Sequence, residues 1–130
     1  MTVSCILFIC VIPTGTIPST FNQFSGLLFL YTQSNALSGS DILPFLSTSV
    51  NGIDISDNLF SGELPFNASG WYVVDLYARD NYLSGTIPTD LAFLKHIENL
   101  DISNNLFVGA LPGQLNQVQY VLCVCVSATP

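Results

Sequence analysis

The stretch VVDLYARDNYLSGTIPTDL, residues 73–91, returns 24 residues later as IENLDISNNLFVGALPGQL, residues 97–115. Both stretches place an asparagine four residues before a glycine, and an apolar residue followed by proline begins two residues after that glycine. A fixed period of about 20 to 50 residues is typical of repeat architectures. The spacing of these residues therefore decides the fold before any single strand or helix is assigned.

The same period runs through most of the chain. Glycines recur with spacings of 24, 23, 23 and 24 residues, at Gly15, Gly39, Gly62, Gly85 and Gly109. Each of the last four follows an asparagine by four positions, at Asn35, Asn58, Asn81 and Asn105. The segment GSDILP, residues 39–44, departs from the pattern by two extra residues before its proline. We therefore predict a stack of equivalent coils, each one period long.

The residues before each asparagine predict one strand per coil. Apolar side chains lie three, five and eight positions before it, as Ile102, Leu100 and Ile97 lie before Asn105, except that Thr32 lies three positions before Asn35. The nearer two alternate with other residues, and this period of two places them on one face of a strand. Stacked coils bury that face in a continuous core and pair their strands in a parallel sheet. The predicted ladder has strands over residues 28–32, 52–56, 75–79 and 99–103.

The repeated asparagine and glycine have different physical roles. An inward asparagine side chain offers two donors and an acceptor, so it can pair backbone groups where the chain leaves the strand. Glycine permits unusual turn dihedral angles, and proline fixes an extended segment that needs no donor. We assign the four repeated asparagines, Asn35, Asn58, Asn81 and Asn105, to a structural ladder.

Composition excludes several classes of function. Charged residues make up 8% of the chain and apolar residues 49%, which disfavours disorder. The net charge is -7, and Arg79 and Lys95 are the only two residues that are lysine or arginine. Because phosphate backbones are bound by clusters of basic residues, we predict no binding of nucleic acid.

The ends of the chain do not follow the repeat. The apolar run MTVSCILFICVI, residues 1–12, fits either a signal segment that lacks a basic start or an incomplete repeat. It is shorter than the roughly 20 residues of a membrane span, so none is predicted in this chain. We divide the chain into an irregular apolar segment at 1–14, repeats at 15–118 and an incomplete terminal repeat at 119–130.

The four cysteines lie outside the repeats, at Cys5, Cys10, Cys123 and Cys125. Neither pair has the spacing of a zinc-binding motif, and the single histidine, His96, is distant from both in sequence. We predict no metal site. Disulfides and free thiols remain alternatives, of which free thiols are the simpler.

The two quoted stretches closely resemble plant-type extracellular leucine-rich repeats, and the resemblance covers about residues 15–118. Asparagine, LSG and IP at these offsets over four coils make it specific. It implies a right-handed solenoid with the parallel sheet on its concave face and turns or short 3-10 segments on its convex side. It also implies that the concave face binds ligands, as in receptor ectodomains and secreted inhibitors. Because Val11 and Thr129 occupy the asparagine position at the two ends, we expect a fragment of a longer protein.

Side chains that alternate with the apolar pair of each strand are expected on the concave face. The candidate ligand-binding residues are Tyr31, Asp54, Asp75, Tyr77, Arg79 and Asp101. Of these, the two tyrosines with Asp54 and Asp101 are expected to form one column, about 4.8 Å between neighbours. Aromatic anchors and polar orienting groups suit a binding surface, whereas a solvated face would carry the same aspartates for solubility.

Three further assignments follow from the same alternation and from short motifs. The alternation places Ser56 and Ser103 on the concave face. Arg79 either pairs internally with Asp80 and, across the strands, Asp57, or binds an anionic or hydrogen-bond-rich ligand group. Asn67 begins the sequence Asn-Ala-Ser, which is either a glycosylation site on the flank of a secreted chain or a chance tripeptide.

No catalytic residues are predicted. The carboxylate pairs on the strands lack an apolar pocket that would separate their pKa values, and His96 is expected on a solvent-facing turn. We therefore predict a non-enzymatic module without a cofactor. The resemblance implies that it is secreted or at the cell surface and that it binds a protein, peptide or carbohydrate ligand or a co-receptor. The resemblance implies a role in recognition, signalling or plant defence. The alternative is a truncated remnant of a repeat array with no ligand of its own.

Overall fold

The structure, a computed structural model, describes residues 5–8, 14–20, 26–40, 50–64, 72–93, 96–113, 115 and 120–123. In these residues the chain forms two parallel sheets that run along the stack of coils, one of six strands and one of four. Each coil therefore contributes one strand to the larger sheet, which we call the main sheet, and the interior coils contribute a second strand to the smaller one.

The main sheet confirms the predicted parallel ladder. Its strands lie side by side in chain order, as β1 (Cys5–Phe8), β2 (Leu27–Tyr31), β4 (Gly52–Asp54), β6 (Asp75–Tyr77), β8 (Asn99–Asp101) and β10 (Tyr120–Cys123). In the middle four strands, the paired residues Leu30, Ile53, Leu76 and Leu100 are all buried in one core. The outer strands β1 and β10 extend the sheet beyond the four strands that the repeat pattern predicts.

The predicted strands run too far at their carboxyl ends. Strands β4, β6 and β8 end at Asp54, Tyr77 and Asp101, two residues before the predicted limits. Beyond the strands, the chain takes positive φ angles of 55° at Asp57 and 54° at Asp80. The extended conformation cannot continue into such a turn, so the alternation of side chains stops with the strand.

This early end corrects the predicted positions of two serines. Ser56 and Ser103 are 3% and 8% exposed, so they are buried rather than displayed on the sheet. Both lie two residues beyond a strand end, where alternation no longer determines which way a side chain points.

The smaller sheet is made by the segments that follow the repeated asparagines. Its parallel strands are β3 (Ser38–Gly39), β5 (Leu59–Glu63), β7 (Tyr82–Thr86) and β9 (Leu106–Val108). A bridge from Gly15 to Leu37 continues the pairing toward the first coil. The repeat pattern does not predict this sheet. A short 3-10 helix, Thr89–Phe93, follows one of its strands, in agreement with the expected convex side.

The core of the described residues contains equivalent apolar residues from successive coils. Phe60, Leu83 and Phe107 from the smaller sheet are buried with Leu76 and Leu100 from the main sheet. Because each coil buries its apolar side chains against its neighbours, the stack has one continuous core.

No helix among the described residues is both long enough and apolar enough to cross a membrane. In the same part of the chain, histidine, cysteine and acidic side chains nowhere gather in a group of three or more that could hold a metal ion.

Candidate ligand-binding face

The repeated asparagines hold the strands of the main sheet in place. Asn81 is buried, and its Oδ1 accepts a hydrogen bond from the Phe60 N–H at 2.9 Å. Its Nδ2 donates to the carbonyl oxygens of Ile55 at 2.9 Å and Ala78 at 3.2 Å. Since Ile55 and Phe60 belong to the preceding coil, one side chain ties two coils together and satisfies the backbone where they turn.

Asn58 and Asn105 make the same bonds one coil away on either side. Asn105 Oδ1 accepts from the Leu83 N–H at 2.9 Å, and Asn58 Oδ1 accepts from the Leu37 N–H at 3.0 Å. Asn35, in the first of these coils, is half-buried and donates to the Thr32 carbonyl at 2.8 Å. The register of the main sheet, and with it any surface the sheet carries, is thus fixed by buried hydrogen bonds.

The main sheet carries two columns of side chains on the side that points away from the core, which we call the open face. One column pairs Tyr31, Asp54, Tyr77 and Asp101 in register across β2, β4, β6 and β8. The other pairs Phe29, Gly52, Asp75 and Asn99 across the same strands. Five of the six predicted ligand-binding residues therefore lie together on adjoining positions of one surface. Phe29 and Asn99 belong to it as well, and the alternation that selected Tyr31 and Asp101 also points to them.

The end of the open face on β2 is aromatic. The rings of Phe29 and Tyr31 stack with centroids 5.9 Å apart and an interplanar angle of 27°. A Cβ atom at Gly52 would lie only 2.7 Å from Phe29 Cδ1, so the absence of a side chain there leaves room for the ring. The result is a half-buried apolar platform over β2 and β4.

The rest of the open face is acidic, and each carboxylate is held through one oxygen. Asp75 Oδ1 accepts from Asn99 Nδ2 at 2.6 Å. Asp101 Oδ1 accepts from the Ser103 hydroxyl at 2.6 Å, and Asp54 Oδ1 accepts from the Ser56 N–H at 3.0 Å. Within the described residues, the second oxygen of each carboxylate has no hydrogen-bond partner. These oxygens can accept from a donor that approaches the sheet.

Tyr77 lies at the centre of this acidic region. Its neighbours in the column are Asp54 and Asp101, and Asp75 lies two residues before it on the same strand. The pKa of Tyr77 is raised above its ordinary value of 10.0, first by burial and then by the negative charge of Asp75. Smaller contributions come from Asp54, Tyr31 and Asp101. The phenol is therefore a neutral hydroxyl in all ordinary conditions.

Arg79, the sixth predicted ligand-binding residue, is turned toward two carboxylates near the strand ends. Its Nη2 lies 3.4 Å from Asp57 Oδ2 and its Nε lies 3.8 Å from Asp80 Oδ2. Of the two alternatives for this residue, the structure shows internal pairing. The guanidinium therefore does not neutralise the three carboxylates around Tyr77.

The remaining predicted residues lie elsewhere. His96 is exposed, as expected of a turn residue, and its ring stacks on that of Tyr72 at 5.2 Å. Cys5 and Cys123 lie on the two outermost strands of the six-stranded sheet. Asn67, Cys10, Cys125 and Lys95 lie outside the described residues, and glycosylation of Asn67 stays a prediction.

The chain is similar to known leucine-rich repeat proteins and to solved plant ectodomains. A family model described as Leucine Rich Repeat matches residues 96–118. A search of curated proteins found no match. Among solved structures, the ectodomain of the receptor kinase SOBIR1 from Arabidopsis thaliana is similar to the chain, with a TM-score of 0.74 and 31% identity over 88% of this chain and 61% of that one.

Two further structures from Arabidopsis are similar at the same level. A complex of BIR3 with SERK2 contains a chain with a TM-score of 0.73 and 30% identity, over 78% of this chain and 56% of that one. The receptor kinase HAESA, in complex with the peptide hormone IDA and the co-receptor SERK1, gives 0.77 and 30% over 82% of this chain and 18% of that one. The chain thus spans less than two thirds of each of these relatives.

Proposed function

We propose that this chain, a leucine-rich repeat protein of the plant receptor-ectodomain type, binds a peptide or a partner protein on the open face of its main sheet. The observation that carries the proposal is the register of the open face. Two tyrosines, Tyr31 and Tyr77, alternate with Asp54 and Asp101 on four adjacent strands. Tyrosine is one of the residues that contribute most of the binding energy at protein interfaces.

The rigidity of the sheet supports this role. Buried asparagines fix the strands, so the side chains of the open face are held in place before a ligand arrives. A surface organised in advance loses little conformational entropy on binding. The face can therefore recognise an extended segment by side-chain contacts without first having to fold.

The relatives support a partner that is itself a protein or peptide. HAESA is seen with the peptide hormone IDA and the co-receptor SERK1, and SERK2 is seen with BIR3. By analogy we assign this chain to recognition outside the cell, in signalling or defence, as a secreted protein or as part of a longer ectodomain.

The same geometry argues for binding without catalysis. The carboxylates of the open face are hydrogen-bonded and partly open to water, so no apolar pocket separates an acid from a base. His96 stacks on Tyr72 and lies on an exposed turn before β8 begins. We therefore propose a non-enzymatic module that needs no cofactor.

The test uses peptides selected on the whole chain from a random library of about twelve-residue sequences displayed on phage. Their affinity is then measured for two matched double variants. Y31A/Y77A removes both tyrosines of the open face, whereas Y72A/Y82A removes two tyrosines that are 55% and 54% exposed elsewhere. We expect the first variant to lose about 1 to 2 kcal/mol or more of binding energy, and the second to bind like the original chain. Equal binding by all three proteins would move the site off the open face.

A further inference from the structure

We propose that the open face selects cationic ligands, namely extended peptide segments that carry a lysine or arginine a few residues from an apolar side chain. This inference rests on the proposed function and specifies the chemistry of the partner. It draws on three features of the face: its uncompensated charge, its unused acceptors and the separation of its aromatic and acidic ends.

The charge of the face is not balanced by the described part of the chain. Asp54, Asp75 and Asp101 surround Tyr77 on three adjacent strands. The guanidinium of Arg79 lies against Asp57 and Asp80 instead. A cationic group brought to Tyr77 would therefore meet three carboxylates that no described cationic side chain pairs, while an anionic group would be repelled by all three.

The geometry also supplies directed hydrogen bonds for a cation. One oxygen of each of these carboxylates is held by Asn99, Ser103 or the Ser56 backbone. Their other oxygens can accept the charge-assisted hydrogen bonds of an ammonium or guanidinium group, which are stronger than neutral ones. The aromatic ring of Tyr77 adds a face on which a cation can rest.

The aromatic platform of Phe29 and Tyr31 provides the site for an apolar side chain of the same peptide. It lies on β2, two strands away from Tyr77 on β6. Two strand spacings are about 10 Å, which an extended peptide crosses in about three residues. A segment lying across the strands can therefore place an apolar side chain on the platform and, two to four residues away, a basic side chain over Tyr77.

The library selection described above also tests this inference through the composition of the selected peptides. We expect enrichment of lysine or arginine two to four residues from an aromatic or aliphatic residue, with depletion of aspartate and glutamate. Binding of a selected peptide should weaken as sodium chloride rises from about 0.05 to about 0.5 M, because salt screens exposed charges.

Two double variants that remove the same amount of charge test which carboxylates contribute to peptide binding. D54N/D101N removes two carboxylates of the open face, but each asparagine Oδ1 can still accept the bonds from Ser56 and Ser103, so the fold should be kept. E63Q/D90N removes the same charge from exposed positions off this face. We expect D54N/D101N to bind the selected peptides at least about tenfold more weakly, and E63Q/D90N to bind them within about twofold of the original chain.

The outcomes separate the two proposals. If the selected peptides need Tyr31 and Tyr77 but show no enrichment of basic residues, or bind D54N/D101N like the original chain, the preference for cations is overturned and the binding face stands. If their binding does not depend on the two tyrosines, or if the library yields no binder, both proposals fail.

Discussion

Asn81 shows how much of this fold depends on a single side-chain amide. It accepts from one backbone N–H and donates to three carbonyl oxygens in two coils. Asn81→Ala leaves these buried groups without their partner, so we expect a loss of about 1 to 3 kcal/mol in the free energy of unfolding. Chemical denaturation of N81A measures it. Gln33→Ala, which removes an exposed amide, should change stability by less than about 0.5 kcal/mol, and equal losses would argue against the structural role of the asparagine.

The raised pKa of Tyr77 leads to a second prediction about a single residue. Because its pKa is raised in the fold, the folded chain holds this proton more tightly than the unfolded chain does. Tyr77 therefore contributes no pH dependence below about pH 10, and stability falls as the pH rises from about 10 through the raised value. Asp75→Asn should lower the Tyr77 pKa, as followed by the carbon chemical shifts of labelled tyrosine rings. An unchanged titration would show that the charge of Asp75 does not affect the pKa of Tyr77.

Among the secondary-structure elements, the smaller sheet depends on glycine at points of close approach. Gly62 has a φ of 91°, and a Cβ atom there would lie 2.6 Å from the Ser40 carbonyl oxygen. Gly62→Ala therefore brings both backbone strain and a clash with the preceding coil, and we expect a cost of about 1 to 3 kcal/mol in unfolding free energy. Gly113→Ala is the matched control, since a Cβ atom there meets nothing within 4 Å. Similar thermal unfolding of the two variants would contradict this account.

The two sheets differ in how far the sequence predicts them. The strands of the main sheet alternate apolar and polar residues, as in Asp75, Leu76 and Tyr77, and this pattern indicates a strand directly. The smaller sheet is built from segments such as YLSGT at Tyr82–Thr86, in which glycine and serine weaken the signal. The asparagine Oδ1 atoms accept from backbone N–H groups in or beside its strands, at Leu37, Phe60 and Leu83. The column of Tyr31, Asp54, Tyr77 and Asp101 could be predicted from the period alone. For Arg79 the sequence left two alternatives open, because the choice between them depends on the turn after the strand.

At the scale of the whole molecule, each coil contacts only its neighbours, so stability should vary along the stack. Strands β4 and β6 are paired on both sides, whereas β1 and β10 are the outer strands of the described sheet. We expect amide hydrogen exchange to be slowest in β4 and β6 and fastest in β1 and β10, because local opening begins where fewer contacts must break. Exchange measured by mass spectrometry would contradict this picture if all six strands exchanged at one rate.

The division of each strand between core and open face also affects how such a protein can change over generations. Leu30, Ile53, Leu76 and Leu100 maintain the stack, while the residues beside them on the open face take little part in it. Substitutions at Tyr31 or Tyr77 can therefore accumulate with little effect on folding, whereas Asp54 and Asp101 also accept backbone hydrogen bonds from Ser56 and Ser103. Selection can then change the ligand-binding side chains of one coil while the neighbouring coils keep theirs. New binding specificities can therefore arise one coil at a time.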